Sequence, residues 1–113
     1  MPVEENVIEN LDWFIRQTTK EGIQIVMVYS PEYIEGQHLI LNRDSIVTIY
    51  KELSFTRNIP FLDYSSDPIC YDRSLFYNST HLTLDGATQF SKLLCADLHL
   101  LGVGNNNSSV KNK

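Results

Sequence analysis

Three blocks of the chain carry apolar residues at helical spacing, and two short apolar runs lie between them. In the first block Val7, Ile8, Leu11, Phe14 and Ile15 recur every three or four residues, while Asp12, Arg16 and Lys20 fall off that stripe. This spacing predicts an amphipathic helix, with Pro2 suited to its start and Gly22 placed to stop it. Residues 23–30, IQIVMVYS, form a mostly apolar run without alternation from Ile25 to Tyr29, rich in β-branched side chains and bounded by Gly22 and Pro31. That pattern predicts a strand covered on both faces, as in a parallel sheet. The next segment, PEYIEGQHLILN, mixes its signals and reads as a loop. A second helix is expected from Asn42 or Asp44, either of which can cap it, through Ile46, Val47, Tyr50 and Leu53. IPFLDYS, residues 59–65, reads as a second short strand, and the polar stretch SSDPICYDRS follows. The last helix carries Ala87, Phe90, Leu93, Leu94 and Leu98 on one stripe, with Asp85 in its first turn and Gly102 just past its end.

The order helix, strand, helix, strand, helix predicts an α/β chain built around a strand–helix–strand crossover. Two buried-type strands with open edges make a poor sheet. The pattern therefore predicts part of a larger parallel sheet, over residues 1–102. Residues 103–113 are polar with almost no apolar side chains and are expected to form a disordered tail. No internal repeat is visible.

Composition narrows the function classes. With 113 residues the chain makes one domain at most. Nine scattered basic residues against fourteen acidic ones, a net charge of -5, argue against a nucleic-acid surface. No apolar run approaches the roughly 20 residues that span a bilayer. The acidic N-terminus has no signal-like apolar region, so the compartment stays open, with the cytoplasm as the default. Cys70 and Cys95 have no metal or redox spacing and read as ordinary, mostly buried thiols, although a pair between them is possible from sequence. Asp63, Asp67, Asp72 and Asp85 match no calcium loop and read as solvated loop acids. The match of Asn78-Ser79-Thr80 to a glycosylation acceptor reads as chance without a secretion signal.

The chemistry candidates gather in FYNSTHLTLDGA, residues 76–87. In open α/β sheets ligands sit at the carboxyl ends of the strands, here Tyr29–Ser30–Pro31 and Asp63–Tyr64–Ser65. The turn holding His81 follows the second strand and is expected on that edge. Asn78, Ser79, Thr80, His81 and Leu82, with Gly86-Ala87 opening a helix, resemble the last block of the SGNH/GDSL hydrolases, normally Asp-x-x-His followed by Gly-Ala. GIQIVMVYSPEY and IPFLDYS resemble that family's fourth and fifth strands. The likeness runs from about Glu5 to Leu101, over the C-terminal half of that fold.

The resemblance implies a flavodoxin-like, three-layer α/β/α domain and a cofactor-free serine esterase acting on a small ester or an acetylated carbohydrate. In such an enzyme a serine attacks the ester carbonyl, histidine takes its proton, and the acid three residues earlier orients the imidazole. Carried over, His81 is the base and Asn78 stands at the acid's place. Two departures follow. The chain carries no GDSL-like or Gly-x-Asn-Asp block, and Ser30 reads as a loop serine. The amide of Asn78 can accept the imidazole N–H bond but lacks charge, and a flipped amide favours the wrong tautomer. Little or no hydrolysis is therefore expected of this chain alone. Two plainer readings stay open: His81 as a turn histidine that docks the last helix, and Asn78 as a turn residue. The alternative function is a non-enzymatic α/β module that binds a partner through its open sheet edge, for example as a homodimer completing the sheet.

Overall fold

The structure, a computed structural model, describes residues 5–40 and 42–103. Helical periodicity becomes helix at all three expected places: α1 (Glu5–Lys20), α3 (Arg43–Arg57) and α4 (Leu84–Leu100). A one-turn α2 (Ile34–Gln37) stands inside the segment read as a loop. Gly22 and Gly102 follow α1 and α4 with φ of +82° and +81°, a region that glycine enters without steric cost. Val103 still belongs to that last turn, because its N–H donates to the Leu98 carbonyl at 3.1 Å. The remainder of the expected tail, residues 104–113, lies outside the described residues. α3 stops at Asn58, which takes the left-handed conformation and returns its N–H to the Phe55 and Ser54 carbonyls.

The strands are shorter than their apolar runs. β1 (Met27–Tyr29) and β2 (Phe61–Asp63) pair in parallel, with Met27 opposite Phe61 and Tyr29 opposite Asp63. The chain is thus a mixed α/β fold whose parallel sheet, among the described residues, has two strands. Asn58 turns the chain just before Pro60, which has no N–H to give, so the ladder begins only at Phe61. The Pro60 carbonyl accepts from Met27 at 2.9 Å, and Tyr64 N–H closes the other end on the Tyr29 carbonyl at 3.0 Å. Cover on both faces of β1 is not realised: Val28 is 39% exposed. A sheet of two strands gives its outward side chains few neighbours to shelter them.

The polar stretch after β2 is more ordered than its composition suggests. It forms two 3-10 turns, Pro68–Tyr71 and Arg73–Leu75, capped by Asp67 accepting from Ile69 N–H and Asp72 accepting from Ser74 N–H. Then β3 (Phe76–Asn78) and β4 (His81–Leu82) form a small antiparallel hairpin leading straight into α4.

Packing falls into two parts. In one, α1 contacts α3; Ile15 of α1 is almost fully buried, and Val47 of α3 is buried as well. Arg57 clamps Asp12 across these helices, Nη2 to Oδ2 at 2.8 Å with Nε on Oδ1, and holds that carboxyl below the usual range. The other part is the cluster of Ile69, Leu75 and Phe76, packed against Tyr33, Leu82, Phe90 and Leu93. Phe14 and Val7, both expected on the core stripe, are each 54% exposed. They lie together on one flank of that stripe, which the neighbouring α3 leaves uncovered. Both cysteines are free, and Cys95 is exposed rather than buried, because it lies off the Phe90–Leu93–Leu94–Leu98 face. Cys70 is fully buried, and its Sγ–H donates to the Tyr64 carbonyl at 3.1 Å. The whole measures 45 × 34 × 17 Å, a short axis with room for about two layers of secondary structure.

Candidate functional site

Asparagine favours turns because its short side chain can bond the backbone just ahead of it. Asn78 does this twice: its Oδ1 accepts from Thr80 N–H and from His81 N–H, each at 3.0 Å. The same oxygen lies 2.9 Å from His81 Nδ1. Backbone N–H groups only donate, so the atom that receives both must be the amide oxygen. The flip that would present NH2 to the ring would break both turn bonds. An oxygen opposite Nδ1 suits the neutral tautomer with the proton on Nδ1 and the lone pair on Nε2, whereas a Thr80 hydroxyl donating to Nδ1 suits the other. Thr80 Oγ1 also approaches Nδ1, at 3.1 Å. No hydrogen bond to His81 Nε2 is found among the described residues, and the side chain is exposed.

The turn rests on the better-packed part of the molecule. Phe76 pairs with Leu82 across the hairpin, and both belong to the Leu75 cluster. Thr83 N–H donates to the Leu75 carbonyl at 2.8 Å, while Thr83 Oγ1 caps α4 by accepting from Gly86 N–H at 3.1 Å. Gly86 faces the Leu75 carbonyl so closely that a β-carbon would collide with it.

The loops after both parallel strands meet this hairpin. Tyr33 N–H donates to the Ser79 carbonyl at 2.9 Å, and Gly36 packs on Ser79 with no space for a side chain. Gln37, 7% exposed, sends its Nε2 to the Glu32 and Ser65 carbonyls, both at 2.8 Å, and so ties the loop after β1 to the loop after β2. The carboxyl edge expected to hold the site is therefore one connected surface. Tyr29 OH donates to Glu32 at 3.0 Å, and burial with that acceptor pushes its pKa up to about 12. The Arg43 guanidinium stands 5.5 Å from the Tyr29 ring centre.

Between α2 and β3 this surface opens into a cleft of about 780 Å³. Tyr33, Leu39, Phe76 and Tyr77 supply apolar wall, and Glu35, Arg73, Ser74, Asn78 and Ser79 supply polar groups.

Asn78 and His81 are thus brought together, with Asn78 Oδ1 2.9 Å from His81 Nδ1. Ser30 is exposed at the end of β1 and, among the described residues, makes no hydrogen bond to His81. The loop acids serve turns: Asp63 accepts from Ser65, while Asp67 and Asp72 cap the two 3-10 turns. Sequence reading missed Gln37 and Arg73. Gln37 leaves no local signal, since its partners are backbone carbonyls 5 and 28 residues away. Arg73 stood within a stretch whose turns are made by aspartates rather than by a hydrophobic period. Compared with protein-family models, with curated proteins and with solved structures, the chain matches none.

Proposed function

We propose that this chain supplies the histidine side of an SGNH-like ester hydrolase, with His81 Nε2 as the general base. The supporting observation is the contact from His81 Nδ1 to Asn78 Oδ1 at 2.9 Å, on an oxygen that two backbone N–H groups hold in place. In this reading Nε2 takes the proton of a serine hydroxyl as its oxygen attacks an ester carbonyl, then returns it to the leaving alcohol. Asn78 keeps the tautomer but adds no negative charge beside the imidazolium. Exchange of Asp for Asn in a serine-protease triad lowers turnover about 10⁴-fold, where the wrong tautomer is the cause. In this reading the held amide removes that cause, leaving the smaller loss of charge. The serine and the oxyanion donors come from a further segment or partner, whose strands would extend the parallel sheet beside β1 into a flavodoxin-like, three-layer domain. The substrate is a small ester or acetylated carbohydrate.

Two measurements test this. Ring ¹⁵N shifts of neutral His81 are expected to report the Nδ1–H form, and Asn78→Ala is expected to lose that bias. A wild-type spectrum dominated by Nε2–H removes the base from the reading. With p-nitrophenyl acetate, the chain alone is expected to turn over no faster than equimolar free imidazole. Substantial turnover that His81→Ala abolishes would overturn the need for a further segment.

A second reading has its own support. The outer edge of β1 has no partner strand among the described residues, and Val7, Trp13, Phe14, Ile23 and Val28 are exposed on α1 and around β1. We propose that two copies can complete the sheet across this edge, giving a non-enzymatic self-associating module. Light scattering should then find a dimer that Val28→Lys turns into a monomer. A wild-type monomer at every concentration sinks this alternative.

A further inference from the structure

The cleft beside α2 contains polar groups whose hydrogen-bonding capacity is unevenly used. Among its acceptors, Glu35 Oε2 receives the Tyr33 hydroxyl at 3.3 Å, and Asn78 Oδ1 receives the hairpin donors. Arg16, Arg43 and Arg57 each meet an aspartate, whereas Arg73 has no ion pair or hydrogen bond among the described residues. The Asp72 carboxylate next to it turns Oδ1 to Ser74, whose N–H and Oγ–H both donate to it, at 3.0 and 2.6 Å. The amide NH2 of Asn78 also has no partner among the described residues, although Asn78 lines the cleft. Both groups are exposed and served by solvent, and a ligand rich in acceptor oxygen, most simply a carboxylate, can replace that water.

The walls specify the remainder of that ligand. The Tyr33 ring is held against Phe76, centroids 5.8 Å apart, and Tyr77 stands 79% exposed on the same cleft. These rings and Leu39 offer flat apolar contact next to the guanidinium. A volume of about 780 Å³ lies within the range usual for small-ligand sites. We propose that this cleft binds a small carboxylate carried on a flat apolar body, with Arg73 and the Asn78 amide NH2 on the carboxylate and Tyr33 and Tyr77 against the body. The site is independent of the hydrolase reading, because its groups act whether or not His81 moves a proton.

Benzoate, benzamide and benzyl alcohol are suitable probes, titrated into the ¹⁵N-labelled full chain. Benzoate is expected to bind about tenfold more tightly than the two neutral probes, with shifts at Tyr33, Arg73, Tyr77 and Ser79. Arg73→Gln should erase that preference, and Arg73→Lys should keep part of it by retaining the charge without the fork. Tyr77→Ala should weaken all three probes alike. Arg73 is exposed, so its variants are expected to keep the wild-type amide spectrum, which the same titrations record. Equal affinity for the three probes, absence of saturable benzoate shifts, or benzoate binding untouched by Arg73→Gln would each overturn the proposal.

Discussion

Gly86→Ala is expected to destabilise the chain by about 2–3 kcal/mol, the cost of overpacking joined to a disturbed hydrogen bond. The added carbon would strike the Leu75 carbonyl and stand 3.0 Å from Leu82 Cδ2 and 3.1 Å from Leu75 Cβ. The struck atom is a backbone acceptor, already used by Thr83 N–H at 2.8 Å, so it cannot rotate away as a side chain would. Either α4 lifts from the second 3-10 turn or the Leu75 cluster shifts, and both lie under the His81 hairpin. Since small domains are stable by only about 5–15 kcal/mol, such a loss is readily seen in urea denaturation. Ser91→Ala, an exposed change on the same helix, is the control and should stay within about 0.5 kcal/mol. A Gly86→Ala midpoint equal to that of the control would show that the close approach carries no cost.

Gln37→Leu is the second large effect, again about 2–3 kcal/mol. Leucine matches the volume of the buried side chain but abandons two carbonyls, those of Glu32 and Ser65, each now bonded at 2.8 Å. An acceptor left buried without a partner costs about 1–3 kcal/mol, more than the neutral bond contributed. The loss has a local signature as well. With the loops after β1 and β2 untied, Tyr33 N–H should exchange faster, because its bond to the Ser79 carbonyl depends on where that loop lies. Unchanged stability together with unchanged protection at Tyr33 would remove Gln37 from its place as the tie of the carboxyl edge.

Much of the architecture was legible because helices announce themselves over many residues. The stripes of α1, α3 and α4, the glycine stops at Gly22 and Gly102, and two short strands with a helix between them all follow from local spacing and local sterics. The pairing of Asn78 with His81 was also legible, since both lie in one turn and asparagine at its start bonds forward. Strand length was less so. IQIVMVYS carries a long apolar run, yet a ladder needs a partner, and β2 offers only Phe61–Asp63 after Pro60. Burial misread Phe14 and Cys95 for a related reason: periodicity marks a face as apolar but does not say what covers it.

By itself, then, the sequence determined the α/β order, the glycine stops after α1 and α4, and a turn in which an amide faces an imidazole. Those features depend on neighbours within a few residues, where backbone geometry leaves little choice. Only the tertiary structure decided that Gln37 joins two loops and that Arg73 shares a cleft with Tyr33 and Phe76. Each of these depends on atoms brought close by chain reversal, and hydrogen bonds reward partners for their position in space rather than their distance along the chain.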